Sequence, residues 1–235
     1  MKFIKKELIH RDLHIGNILF KDNTCITDMG LCRPADYILS ENAKKSVYGV
    51  LPYVAPEILR GQNYTKASDI YSFGMIMYEV ISGLPPYHDV GHNYNLAMKI
   101  CHGLRPRFNI RVPQLFVHLI KICLDANPLN RPTAEEIVTI LYKWRYKSSD
   151  NETIELLKQI GNADEINNNL LTTSIPSTSL GLSYKTHSEA IYASRLLSFN
   201  NLPEPRNSVD YYEREDNIIS IGNNFVYFFK QKKII

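Results

Sequence analysis

The stretch HRDLHIGN, residues 10–17, gathers a carboxylate (Asp12), an imidazole (His14) and a carboxamide (Asn17) into eight positions. A second carboxylate, Asp28, follows in TDMG. Asp12 can accept a hydrogen bond from an incoming alcohol, which positions that hydroxyl for attack. His14, with an unperturbed pKa of about 6.5, is largely neutral at physiological pH unless an adjacent anion raises that value. Such groups suit chemistry on a hydroxyl, provided the chain brings Asp28 back beside Asn17.

A strand, a turn and a second strand would do so. NILF and TCITD carry the apolar and β-branched residues of short strands, and KDN between them supplies Asp22 and Asn23 as turn formers. A long loop runs on to about Glu57. In SDIYSFGMIMYEVISG, Ile70, Phe73, Met77 and Val80 recur at helical spacing, with Ser68 available as N-cap and Gly83 just past the end. Further helices are expected at about 93–102, 113–124 and 133–145. The last is opened by Pro132 and Thr133, with Glu135 and Glu136 in its first turn, where the macrodipole favours acids.

Composition shifts to Asn, Ser and Thr after residue 147, so a boundary is expected at 146–148, dividing a folded part, 1–147, from a tail, 148–235. NNNLLTTSIPSTS has little to bury against the entropy of ordering it, and the tail is expected to be largely disordered. Two islands, ETIELLKQI and EAIYASRLL, could form short helices. The closing NNFVYFFKQKKII reads as an aromatic, basic chain end.

The formal charge of +3 is unevenly spread: residues 1–147 carry 19 Lys and Arg against 13 Asp and Glu, or +6, and residues 148–235 carry 8 against 11, or −3. Neither part is basic enough to argue for nucleic acid. The cysteines Cys25, Cys32, Cys101 and Cys123 form no C-x-x-C pair and read as reduced thiols of a cytoplasmic protein rather than a zinc site. MKFIKKELIH lacks the apolar core of a signal peptide, and IYSFGMIMYEVISG is shorter than the roughly 20 residues a bilayer needs, so no membrane partner is expected.

Residues 4 to about 146 resemble the C-terminal lobe of a eukaryotic protein kinase, nearest the tyrosine-kinase-like group of Ser/Thr kinases. HRDLHIGN is similar to the H-R-D-L-x-x-x-N catalytic loop, TDMG stands where the family has D-F-G, VAPE resembles A-P-E, and ASDIYSFG and NPLNRPT complete the series. Five such motifs in this order, with these gaps, form a specific signal. The resemblance implies an α+β kinase-like fold, C-lobe only, mostly helical with short β-hairpins and followed by the tail. It implies ATP-dependent phosphoryl transfer to Ser or Thr of a protein substrate, with ATP and Mg2+ as cofactors. By the same motifs Asp12 is the base that orients the substrate hydroxyl, beside Arg11 and His14. Asn17 and Asp28 hold the magnesium and through it the nucleotide, and Met29 replaces the usual Phe as a packing residue. Glu57, Asp69 and Arg131 are implied to be structural, with Glu57 and Arg131 paired. Ser46, four residues before Val50, is implied to be a regulatory phosphorylation site with Arg11 as its cationic partner and Ser40 and Tyr48 as rivals. An upstream kinase or an intact kinase is then a possible partner.

The sequence also departs from the pattern. His14 stands where Ser/Thr kinases usually place a Lys, Gly16 where tyrosine kinases can place an Arg, and Val50 where the family has Thr. Tyr53, in place of the Trp common in tyrosine kinases, leans towards Ser/Thr substrates. No G-x-G-x-x-G loop or strand lysine precedes HRD, which leads to the expectation of weak nucleotide binding and of uncovered apolar surface on the IYSFGMIMYEV helix. A non-catalytic, pseudokinase-like binding module or a truncated gene product is the alternative to an enzyme.

Overall fold

The computed structural model describes residues 7–20, 24–35, 47–146, 151–172 and 184–208. Within them lie six short strands: β1 (Leu8–Ile9), β2 (Ile18–Phe20), β3 (Thr24–Ile26), β4 (Arg33–Pro34), β5 (Val47–Gly49) and β6 (Arg195–Leu197). They form three antiparallel pairs, β1 with β4, β2 with β3 and β5 with β6. Six α-helices accompany them: α1 (Pro56–Leu59), α2 (Lys66–Ser82), α3 (Tyr94–Cys101), α4 (Gln114–Cys123), α5 (Ala134–Tyr146) and α6 (Asn151–Thr172). The KDN turn and Ser46 lie outside the described residues, as do Ser40 and NNFVYFFKQKKII.

Helix α2 runs through the centre of the helical core. Its N-cap is Thr65 rather than Ser68. The Thr65 hydroxyl accepts from the Ser68 amide at 3.3 Å, and the Ser68 hydroxyl accepts from the Thr65 amide at 3.1 Å, a reciprocal capping box that either residue's type could have announced. Gly83 ends the helix at φ 70°, a left-handed conformation open to glycine without strain. Ile70, Tyr71, Met75, Ile76 and Ile81 are buried in the core shared with Phe116, Leu119 and Ile120 of α4. The expected uncovered apolar face is reduced to Phe73, Met77 and Val80, each half-buried. At the crossing of α2 with α4, Gly74 permits close approach: a Cβ there would lie 2.9 Å from Cys123 Cβ and 2.9 Å from Leu124 Cδ2. Helix α5 opens with its own capping box between Thr133 and Glu136 and places Trp144 edge-on to Phe116, with ring centroids 5.0 Å apart.

The second half of the chain differs from expectation. ETIELLKQI belongs to a 22-residue helix, α6, that lies against α5. Thr153, Leu156 and Ala163 are buried and Ile160 is half-buried, recurring at helical spacing, and the Thr153 hydroxyl donates to the Lys143 carbonyl at 3.3 Å. That stripe supplies the tertiary burial which local composition does not reveal. EAIYASRLL is extended rather than helical and contributes β6, because pairing with β5 overrides its local preference. The expectation of a largely disordered tail is thereby corrected for 151–172 and 184–208. Among the described residues no helix is long and apolar enough to cross a membrane.

Candidate active site

Residues 10–17 are fastened from below. Asp69, in the first turn of α2, accepts from the amides of His10 at 2.6 Å and Arg11 at 3.1 Å. Burial pushes its carboxyl up to about 6, against the lowering effect of those two amides. His10 accepts from the Asp12 amide through Nδ1 at 3.3 Å, so its Nε2 carries the proton and donates to the Thr27 carbonyl at 3.0 Å. One imidazole thus ties the loop holding Asp12 to the strand leading into Asp28. Arg11 adopts φ 72° and lays its guanidinium 4.6 Å from the Tyr64 ring centroid, with Nε buried and without a hydrogen-bond partner.

The β2–β3 ladder, with Ile18 opposite Ile26, brings Asn17 and Thr27 together at its open end. The Asn17 carbonyl accepts from the Thr27 amide at 2.9 Å, and Asp28 is the next residue. Asn17 Nδ2 donates to the Asp12 carbonyl at 2.9 Å, which orients the carboxamide and leaves its oxygen available. Asp28 is exposed at φ 54°, with Oδ1 accepting from the Gly30 amide at 3.3 Å. An amide oxygen and an exposed carboxylate are the hard donors that magnesium takes in small number while keeping water and phosphate ligands. The residues present therefore fit that ion. Met29 does not pack as expected: it is 44% exposed and meets Cys32 Sγ at 3.7 Å.

His14 Nδ1 accepts from the Gly16 amide at 3.1 Å, which puts the ring proton on Nε2. Burial lowers its pKa, outweighing the raising effect of Asp12, so the ring is neutral at physiological pH. Gly16 is required by this arrangement: a Cβ there would stand 2.8 Å from His14 Cε1. Val50, where the family has Thr, is buried beside Asp12.

One site residue was missed by sequence reasoning altogether. The Ser194 hydroxyl donates to Asp12 Oδ2 at 2.6 Å and lies 3.3 Å from His14 Nε2, whose proton it accepts. No local pattern marks Ser194; only the β5–β6 pairing, with Gly49 opposite Arg195, places it there.

Beneath the site, Arg131 Nη1 and Nη2 grip Glu57 Oε1 and Oε2 at 2.7 and 2.8 Å, in a pair whose side chains are 0% and 5% exposed. Arg131 also donates to the carbonyls of Ala67 and Asp125, each at 2.9 Å, so the buried guanidinium is well satisfied. Tyr53 donates to Glu79, whose carboxyl burial pushes up to about 7.

A carboxylate receiving an alcohol, next to two oxygen donors at a hairpin mouth, is an arrangement suited to phosphoryl transfer. Residues 1–141 match the family model described as protein tyrosine and serine/threonine kinase, and the chain belongs to that family. A Dictyostelium discoideum protein named a probable serine/threonine-protein kinase is 36% identical over 135 residues, covering 56% of this chain and 8% of that protein. Another of the same name and organism is 35% identical over 140 residues, covering 59% and 15%. A third is 32% identical over 146 residues, covering 61% and 21%. The chain thus spans 21% or less of the length of each of these relatives.

Proposed function

We propose that this chain forms the C-terminal lobe of a serine/threonine protein kinase of the tyrosine-kinase-like group, acting in the cytoplasm on protein substrates. The observation that carries this reading is the alcohol held 2.6 Å from Asp12 Oδ2. Asp12 would orient the acceptor hydroxyl and take its proton as that oxygen replaces ADP on the γ-phosphorus, the bond to the β–γ bridging oxygen breaking as the new one forms. Neutral His14 donates to the same oxygen and fixes its rotamer, a positioning role unlike that of a lysine at this place. Asn17 and Asp28 would hold the metal. Magnesium–ATP, when bound, supplies the electrophilic γ-phosphoryl group and compensates its charge. Glu57, Arg131 and Asp69 hold the lobe's shape around these groups. For Ser46 as a regulatory phosphorylation site, support comes from Arg11, whose buried Nε has no hydrogen-bond partner.

The test is a transfer assay with labelled ATP, magnesium and a generic protein substrate, using a protein that joins this chain to a nucleotide-binding lobe. Expected products are phosphoserine and phosphothreonine. Asp12→Asn and Asp28→Ala should each lower the rate by about 100-fold or more. Phosphotyrosine alone, or undiminished transfer by Asp28→Ala, would overturn the reading.

A further inference from the structure

Residues 184–208 cross the face of the lobe with Ser194 at the centre of the crossing. On one side, Tyr192 donates to the Pro86 carbonyl at 2.9 Å and stands edge-on to His92, with centroids 4.8 Å apart. The Ile191 amide donates to His92 Nδ1 at 3.0 Å, and the Arg195 guanidinium donates to the His92 carbonyl at 2.6 Å. On the other side, β6 adds to β5 in the register Val47 to Leu197, Tyr48 to Leu196 and Gly49 to Arg195. Leu197 turns inward and is 3% exposed, whereas Leu196 turns outward at 64%. Farther on, Leu202 is buried and Arg60 forms a two-pronged ion pair with Glu204. Strand addition supplies backbone affinity, and alternate side chains entering pockets supply selectivity.

We infer that residues 190–202 occupy the protein-substrate groove of this lobe as a substrate does, with Ser194 as the acceptor. The groove then selects an extended segment with serine at the acceptor position, an aromatic residue two places before it and a large aliphatic residue three places after it. Serine suits the geometry because β5 pairing brings the peptide backbone so near Asp12 that a one-carbon side chain already reaches its carboxylate. A tyrosine there would carry its hydroxyl past Asp12. That the groove takes protein substrates and that Ser194 is the acceptor rest on the kinase reading above; the seating of the segment against β5 does not.

Hydrogen exchange of the full chain, read by mass spectrometry, tests occupancy without any phosphate transfer, so failure of this inference is distinguishable from failure of the kinase reading. In the wild type, the amides of β5 and β6 should be protected. In Leu197→Asp, both should lose protection together while α2 keeps its own. Ser194→Glu, which sets a carboxylate against Asp12 without altering the core, should do the same and decides the matter if Leu197→Asp loosens α2. A fluorescent synthetic peptide of residues 188–204 should bind the Ser194→Glu chain at least tenfold more tightly than the wild type, because the groove has been vacated. The same peptide carrying Ser194→Tyr should bind at least tenfold more weakly than the unmodified peptide. The inference fails if β6 exchanges in the wild type as fast as in the isolated peptide, or if the peptide binds both chains equally. Equal affinity of the serine and tyrosine peptides would overturn the acceptor assignment.

Discussion

Glu79 and Asp69 make the fold's stability depend on pH in a direction opposite to that of an ordinary salt-bridged acid. Burial pushes Glu79 up to about 7 from 4.5, and Asp69 up to about 6 from 3.8. The folded protein holds protons there that the unfolded chain has released, so the contribution of Glu79 is fully present below pH 4.5 and that of Asp69 below pH 3.8, and they are lost as pH rises through about 7 and about 6 respectively. Melting temperature should therefore fall between pH 5 and pH 8, and Glu79→Gln should shallow that fall without abolishing it, since Asp69 remains. An unchanged slope in the variant would mean that Glu79 titrates normally. Arg131→Ala should destabilise by about 3–5 kcal/mol in denaturant titrations, because it strands the Glu57 carboxylate in the core. A loss below about 1 kcal/mol would show the pair to be dispensable. The pairing of Glu57 with Arg131 was legible from two charged residues at motif spacing, and the fold buries them together. Met29 and Ser194 were not legible, since the exposure of one and the placement of the other depend on partners distant in sequence.

Helix packing supplies the next prediction. Gly74→Ala would drive a methyl group to within 2.9 Å of Cys123 and Leu124 unless α2 and α4 separate. Overpacking of this kind costs typically about 1–3 kcal/mol, more than the gain in helix propensity returns. Urea unfolding of Gly74→Ala against the wild type measures it; a stabilised variant would mean that the crossing is looser than it looks. Helices α3 to α5 were found from sequence to within one residue at each end, and α2 at its Gly83 end with a start three residues too late, because apolar periodicity is a local signal. Helix α6 and strand β6 were misread because their order comes from surfaces elsewhere: α5 for the stripe from Thr153 to Ala163, and β5 for Arg195–Leu197. EAIYASRLL contains nothing that announces a partner some 150 positions earlier.

At the level of the whole molecule, the four thiols report opening. Cys25 is exposed, whereas burial pushes Cys101 up to about 11 and Cys123 up to about 12. A thiol reagent should label Cys25 in the native protein and reach Cys101 and Cys123 only through unfolding, at rates that rise with denaturant. Native labelling of Cys123 as fast as Cys25 would show that the α2–α4 core opens locally. The occupied groove has a consequence of a different kind. Because residues 184–208 belong to the same chain as β5, they face it at an effective concentration on the order of millimolar. A protein arriving at micromolar concentration would then need roughly 1,000-fold tighter binding than the resident segment to share the groove equally with it. Weakly binding visitors are filtered out by connectivity alone, and anything that detaches Leu197 or repels Ser194 widens the range of proteins the groove can take up.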